Sequence, residues 1–142
     1  MEFMNYTIEV ELDENWSVSL ADWREKHWNC SITDGNRAIV WDCYGGKNAE
    51  IEWTEALYYF LSDAETFIDL HTFDDIAHEF GYTDFEEIKR VYNGLRDSYN
   101  KAIQFFGTEE KFVEVLEALR KEYDFWFSRR WSNPSSFLLR AL

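Results

Sequence analysis

The spacing of the apolar residues changes once along this chain, near Gly45 and Gly46. Before this point apolar residues tend to occupy every second position, the period of a β-strand, and after it they recur every three or four residues, the period of an α-helix. A chain that completes its strands before it begins its helices has the order of an α+β protein. The sequence therefore predicts a small antiparallel N-terminal sheet of three to four strands packed with three to four C-terminal helices.

The strand pattern is clearest in three runs. Residues 6–12 place apolar side chains on one face and polar ones on the other, which predicts a half-buried strand. Residues 28–33 and 38–43 are rich in β-forming side chains and flank Asp34-Gly35, a dipeptide typical of tight hairpin turns, so they are predicted to pair as a hairpin. Residues 16–20 repeat the alternation briefly, so the predicted sheet has three or four strands.

Helical spacing begins after residue 50. It occurs over residues 53–66, 73–80 and 109–123, and over a longer segment with Glu86 and Glu87 in its first turn that ends at Phe106. Capping residues precede the last three segments, namely Thr72, then Thr83 or Asp84, then Thr108. Gly81 and Gly107 follow two of the segments, at the position where glycine commonly ends a helix.

The chain has 142 residues with one Pro and six Gly, which is the size of one domain and leaves little material for a flexible linker. We predict a single acidic α+β domain over residues 1–124. Residues 125–142 differ, since they contain three Arg, no acidic residue and many aromatic and leucine side chains. This segment is predicted to dock on the domain, to form a mobile tail, or to derive from an expression vector, and the three alternatives stay open.

The sequence has none of the usual signs of membrane insertion or export. No apolar run approaches the ~18 residues that a membrane helix needs, and residues 1–14 lack the pattern of a signal peptide. Cys30 and Cys43 are too few for a disulfide framework and lack the close spacing of a zinc or redox pair. These features predict a cytoplasmic protein with no membrane partner.

The net charge of −14 is distributed unevenly. Residues 1–88 contain 21 Asp or Glu and 4 Lys or Arg, whereas residues 89–142 contain 7 and 10. Residues 48–88 contain 12 carboxylates and no Lys or Arg. These are Glu50, Glu52, Glu55, Asp63, Glu65, Asp69, Asp74, Asp75, Glu79, Asp84, Glu86 and Glu87.

The carboxylates of residues 48–88 admit two interpretations. Because the apolar residues need the other helix faces, most of the carboxylates are expected to point outward, as a negative stripe comparable to duplex DNA with its phosphate every ~1.7 Å. Such a stripe would attract the basic groove of a nucleic-acid-binding protein and repel nucleic acid itself. The alternative is a solvated face that only aids solubility. Trp23, which lies among charged residues, is the best candidate for an exposed aromatic anchor of an interface.

Three residues of the sequence have a spacing that could form a metal site. His71, Asp75 and His78 have the spacing i, i+4, i+7, and they could hold a divalent metal if all three were helical. The alternative is that His71 precedes the helix, Asp75 serves the helix dipole, and His78 is an ordinary helix residue. Because no second cluster supplies further ligands, we predict no metal.

Catalytic motifs are equally sparse. A cysteine nucleophile at Cys30 or Cys43 would need a base, and only His27 is near in sequence, so both cysteines are predicted to be small core residues. No phosphate-binding loop, dinucleotide fingerprint or hydrolase motif occurs. We therefore predict no cofactor and no enzymatic activity.

Four stretches of the chain together resemble a group of small phage and prophage proteins: residues 28–32, 41–46, 56–64 and 72–82. They contain Trp-Asn-Cys-Ser-Ile, Trp-Asp-Cys-Tyr-Gly-Gly, a leucine-rich helix ending in Ser-Asp-Ala, and Phe-x-x-Ile-x-x-Glu-Phe-Gly-Tyr. The resemblance extends over about residues 27–107. The basic, aromatic segment after Asp124 departs from it.

The resemblance implies an origin in a mobile element and a place of action in the cytoplasm of a bacterial host cell. Some small acidic phage proteins block host defence, including CRISPR–Cas effectors and restriction enzymes, often by occupying a nucleic-acid site. With the charge pattern, this predicts a stoichiometric inhibitor, an anti-CRISPR protein, whose carboxylates occupy a basic groove on its target and which binds no nucleic acid directly. The alternative is a phage adaptor or accessory protein that binds another protein through an aromatic surface.

Overall fold

The computed structural model describes residues 1–14, 26–45 and 51–122. Within them, a four-stranded antiparallel sheet is followed by four helices, which confirms the predicted α+β class. The elements are β1 (Glu2–Phe3), β2 (Tyr6–Leu12), β3 (Lys26–Thr33), β4 (Ala38–Gly45), α1 (Trp53–Asp69), α2 (Phe73–Phe80), α3 (Phe85–Phe106) and α4 (Glu109–Glu122). In this part of the chain no helix is both long and apolar enough to cross a membrane.

These residues form two compact units, Met1–Tyr58 and the residues from Tyr59 onward, and the boundary falls within α1. The predicted single domain over residues 1–124 stays a prediction. The strand predicted at residues 16–20 and the segment 125–142 lie outside the described residues.

The strands follow one another in the sheet in chain order, and each pairs antiparallel with the next. Strand β1 was not predicted, because the turn that joins it to β2 contains no glycine. Met4 and Asn5 form this turn with positive φ angles of 52° and 72°. Two such residues in succession are typical of tight hairpin turns, although Met rarely occupies them.

The predicted hairpin of β3 and β4 is confirmed, and Asp34 holds its turn in place. The Asp34 carboxylate accepts hydrogen bonds from the backbone N–H groups of Arg37 at 2.8 Å and Asn36 at 2.9 Å. These two hydrogen bonds lower the pKa of Asp34. Gly35 takes a φ of 96°, which favours glycine at this position.

One face of the sheet forms the core of the first unit. Ile8 pairs with Ile32 and both are completely buried, while Trp41 is 6% exposed. The indole Nε1 of Trp41 donates a hydrogen bond to the carbonyl oxygen of Ala56 at 3.2 Å, so the start of α1 packs against this face. The predicted half-buried strand over residues 6–12 is therefore confirmed.

The caps of the later helices lie where the sequence predicts them. Thr72 and Thr108 each accept a hydrogen bond in their side-chain oxygens, from Asp75 N–H at 3.0 Å and Lys111 N–H at 3.1 Å. Of the two alternatives at α3, Asp84 is the cap, and its carboxylate accepts from Glu86 N–H at 2.9 Å. Helix α1 continues to Asp69 rather than ending at residue 66.

The second unit has a core between α2 and α3. Ile76 of α2 is completely buried and lies with Ile88, Val91 and Leu95 of α3. Aromatic side chains, Phe73 among them, surround this cluster. Because α2 has only eight residues and buries only Ile76 completely, its position depends on this small cluster.

Candidate protein-interaction surface

The predicted acidic residues occupy different environments. Glu50 and the predicted aromatic anchor Trp23 lie outside the described residues. Six carboxylates are exposed: Glu52, Asp69, Asp74, Glu79, Asp84 and Glu86. Four are half-buried: Glu55, Glu65, Asp75 and Glu87. Six of the eleven described carboxylates are therefore exposed to solvent, and the other five are not.

Asp63 is a correction to the expectation that most of these carboxylates point outward. It is only 3% exposed, because residues 60–64 of α1 are all buried and the helix has no solvent-facing side there. The prediction that Asp63 points outward requires a helix with a single apolar stripe and an exposed opposite face. Helix α1 is instead buried on all sides at residues 60–64. Asp63 cannot contribute to a surface contact.

Glu65 forms a salt bridge with an arginine of another helix. Arg120 of α4 places its Nη2 3.2 Å from Glu65 Oε1 and its Nη1 2.6 Å from Glu117 Oε1. A cation distant in sequence therefore partly neutralises Glu65. Residues 48–88 contain no Lys or Arg, but Arg120 brings a positive charge next to Glu65 in the folded protein.

The carboxylates of α2 and α3 converge where the two helices begin. Phe73 is the first residue of α2, Phe85 is the first residue of α3, and their ring centroids lie 5.6 Å apart. This contact brings the acidic first turns of both helices together. We name the surface the Phe85 site, and it comprises Phe73, Asp74, Asp75, Asp84, Phe85, Glu86 and Glu87.

The Phe85 site is strongly negative. None of its five carboxylates forms a salt bridge within the described part of the chain, although Lys89 and Arg90 stand three and four residues after Glu86, at the spacing of neighbours on a helix surface. The positive ends of two helix dipoles offset part of the mutual repulsion. The five carboxylates therefore fold without a salt bridge and can accept an external cation.

Phe85 is the aromatic residue that the sequence interpretation missed. Its side chain is 57% exposed, which is unusual for a phenylalanine, while Phe73 beside it is half-buried. Its position three residues before Ile88 and seven before Tyr92 places it on the apolar stripe of α3. The sequence pattern indicates an apolar stripe that begins at Ile88, and it favours Trp23 as the exposed aromatic anchor.

Glu52 and Glu55 belong to the first unit, and Glu52 lines a groove of about 490 Å³. The groove is lined by residues of β2, including Glu9 and Glu11, and by Ile51 to Trp53. Burial, and to a smaller extent the charge of Glu52, raises the pKa of Glu55. The ionised form of Glu55 is therefore disfavoured in the folded protein.

Glu55→Gln is expected to stabilise the protein at neutral pH by less than about 1 kcal/mol, since Glu55 is partly exposed. At neutral pH the carboxylate is ionised in both the folded and the unfolded chain, so its burial opposes folding. As the pH falls through the raised pKa the group protonates and the advantage of Gln disappears. Urea denaturation of both proteins from neutral to acidic pH measures this difference. Glu52→Gln is the matched control with a smaller effect, and an advantage of Glu55→Gln that grows on acidification would contradict the interpretation.

The candidate metal ligands do not form a cluster. His71 precedes the cap Thr72, so it is outside α2 and does not share a helical face with Asp75 and His78. In the three described ranges no group of three or more His, Cys, Asp or Glu side chains could hold a metal ion.

The two cysteines are buried core residues on neighbouring strands. A hydrogen bond with Cys43, together with burial, raises the pKa of Cys30 well above its ordinary value, so this thiol remains protonated. His27 lies three residues from Cys30 on β3, and side chains with an odd separation point to opposite faces of a sheet. The Cys–His arrangement of a nucleophile is therefore not formed here.

His27 instead joins two carboxylates on the other face of the sheet. Its Nδ1 lies 2.8 Å from Asp13 Oδ2, and its Nε2 lies 2.8 Å from Asp42 Oδ1. Both nitrogens can donate at once only in the imidazolium form. The sequence did not indicate this group, because its three members come from three separate segments.

Compared with known proteins, the chain matches no family model, no curated protein and no solved structure. The resemblance to small phage proteins therefore stays a prediction.

Proposed function

We propose that this protein is a stoichiometric inhibitor of a host nucleic-acid-targeting defence complex, an anti-CRISPR protein, and that the Phe85 site enters a basic groove of its target. The observation that carries the proposal is the contact between Phe73 and Phe85, which joins the first turns of two helices that carry five carboxylates and one exposed ring. In the described structure no salt bridge neutralises them.

The proposed mechanism is occupancy of the groove. A groove that binds nucleic acid presents Lys and Arg side chains to phosphates, and carboxylates can engage the same side chains. The negative field speeds association and makes it salt-dependent. Phe85 adds an exposed apolar contact to the charged surface, and aromatic side chains are often among those that contribute most to binding. No covalent step and no cofactor is involved.

The alternative is an adaptor that binds another protein through its aromatic surface. The 57% exposure of Phe85 is the observation that favours it, because an apolar contact needs no basic groove. The two functions differ in their response to salt, since salt screens exposed charges and leaves apolar contacts largely intact.

A capture experiment tests the proposal directly. Tagged protein is incubated with nuclease-treated lysate of a bacterial host at low and at high salt, and the captured proteins are identified by mass spectrometry. Recovery of a CRISPR or restriction effector that falls at high salt supports inhibition through the acidic surface. Recovery at both salt concentrations of a protein without any nucleic-acid role supports the adaptor instead.

Reversing two exposed charges of the Phe85 site is expected to weaken target binding. The double variant Asp74→Lys/Glu86→Lys should associate at least about tenfold more slowly at low salt, because it removes part of the steering field. The matched control is Glu110→Lys/Glu122→Lys, which makes the same change in net charge at exposed positions of α4. Glu110 also lies in a helix's first turn, so the control reproduces the helix-dipole effect of one of the two replacements, whereas Glu122 is the last residue of α4. Surface plasmon resonance at several salt concentrations measures the association rates. Equal slowing by both variants would show that the net charge of the protein, and not the Phe85 site, determines the association rate.

A further inference from the structure

The edge of β2 that faces β1 is only partly covered. Strand β1 has two residues and pairs only with Tyr6 and Thr7. Beside this pairing, the N–H of Ile8 donates to the carbonyl oxygen of Met1 at 2.7 Å, and the nitrogen of Met1 donates to the carbonyl oxygen of Ile8 at 3.0 Å. Beyond Ile8, no strand among the described residues pairs with β2 on this side. We call residues 9–12 on this side the open edge of β2.

The backbone of Val10 and Leu12 points toward the open edge. Along an antiparallel strand, successive residues direct their backbone N–H and C=O groups alternately to the two sides. Ile8 bonds to the β1 side, whereas the N–H of Asp13 donates to the carbonyl oxygen of His27 in β3 at 2.9 Å. The register between β2 and β3 is unbroken from Ile8 to Leu12, so the alternation holds over these residues. The N–H and C=O groups of Val10 and Leu12 can therefore pair with a further strand.

Apolar side chains are incompletely covered along the same edge. Val10 and Leu12 lie on the core side of the sheet, together with Ile8. Their partners in β3, Cys30 and Trp28, are buried, but Val10 is half-buried and Leu12 is 40% exposed. The core side of the sheet is therefore less well covered at the open edge than one strand further in.

The groove of about 490 Å³ lies at the open edge, because Met1 and residues 8–11 line it together with residues 51–53. Its three carboxylates are Glu9, Glu11 and Glu52. None of them forms a salt bridge within the described ranges. An occupant with positive charge is therefore favoured.

The described part of the first unit supplies neither Lys nor Arg to the side of the sheet that carries Glu9 and Glu11. It contains two such residues, Lys26 and Arg37. Arg37 belongs to the hairpin turn, where its Nη2 lies 3.5 Å from Asp34 Oδ2. Lys26 occupies a core-side position of β3, so it points to the opposite side of the sheet from Glu9 and Glu11. These two carboxylates can therefore pair with the cations of a ligand.

We propose that an extended segment of a partner protein, with basic and apolar side chains in alternation, adds to the open edge of β2 as an antiparallel strand. It continues the line of β1 and forms backbone hydrogen bonds with Val10 and Leu12. The residues opposite Val10 and Leu12 are apolar and cover the core side. The residues opposite Glu9 and Glu11 are basic, because cross-strand pairs of opposite charge are favourable. This surface shares no residue with the Phe85 site, so neither proposal rests on the other.

The test uses labelled pentapeptides with blocked ends and fluorescence anisotropy. Lys-Val-Lys-Val-Lys is expected to bind at least about fivefold more tightly than Lys-Lys-Lys-Val-Val, which has the same composition and charge. N-methylation of both valines of the alternating peptide should weaken binding at least about tenfold, since it removes the N–H groups that face Val10 and Leu12. N-methylation of the central lysine should have little effect, because its N–H points away from β2.

Protein variants locate the binding. Glu9→Gln/Glu11→Gln should weaken the alternating peptide about threefold to tenfold. The matched control is Glu110→Gln/Glu122→Gln, which makes the same change in net charge at exposed positions of α4 and should have a smaller effect. Circular dichroism verifies that both variants are folded.

Several outcomes would overturn this inference. They are equal binding of the alternating and block peptides, unchanged binding after N-methylation of the valines, and equal weakening by the two double variants. Each of them would mean that net charge alone attracts the peptide. A dimer in sedimentation experiments that the alternating peptide dissociates would instead assign the open edge to a second copy of the chain. The preference for alternation should persist in Asp74→Lys/Glu86→Lys, so failure here is distinguishable from failure of the Phe85 site.

Discussion

Replacing Ile76 by alanine is expected to lower the free energy of unfolding by about 2–4 kcal/mol. Ile76 is completely buried, and it is the only residue of α2 that is. Truncation leaves a cavity against Ile88, Val91 and Leu95, where the surrounding helices cannot fully close. Urea denaturation followed by circular dichroism measures the loss. Because α2 depends on this residue, its amide hydrogens should also lose protection against exchange.

The control for Ile76→Ala is Leu119→Ala on α4. Leu119 is also completely buried, so the loss of stability should be similar. The two variants should differ at the Phe85 site, since only Ile76→Ala loosens the helix that carries Phe73. Equal loss of α2 protection in both variants would show that α2 is not separately anchored by Ile76.

The elements were predictable from the sequence because each is specified locally. Alternation defines β2, Asp34 and Gly35 define the hairpin, and the caps at Thr72 and Asp84 fix where α2 and α3 begin. In each case a few neighbouring residues contain the whole signal. Strand β1 could not be predicted in this way, because its turn contains Met4, a residue without a turn preference.

The candidate site was only partly predictable, because it depends on contacts between distant residues. The acidic first turns of α2 and α3 were visible in the sequence, but their convergence follows from the ring contact between Phe73 and Phe85. The burial of Asp63 and the pairing of Glu65 with Arg120 are tertiary effects of the same kind. Composition predicts that a surface is acidic, and packing decides which carboxylates form it.

The Asp13–His27–Asp42 group also depends on contacts between distant residues, so the sequence did not predict it. Its removal is the second change for which we expect a large loss of stability. His27→Ala is expected to lower the free energy of unfolding by about 2–3 kcal/mol, because it leaves two carboxylates without the group that binds both. His27 is 9% exposed, so water replaces these contacts poorly. Urea denaturation of the single variants and of the double variants with Asp13→Asn and Asp42→Asn gives the coupling energies.

The two couplings should be unequal, although both nitrogen–oxygen distances are 2.8 Å. The side chain of Asp13 is 24% exposed and that of Asp42 is 59% exposed, so water screens the second contact more. We expect about 1–2 kcal/mol between His27 and Asp13 and less than about 1 kcal/mol between His27 and Asp42. Only the weaker coupling should fall markedly with added salt, since salt screens exposed charges more than buried ones. Equal, salt-insensitive couplings would mean that exposure does not govern these contacts, and His27 would then act as a symmetric clamp between β2 and β4.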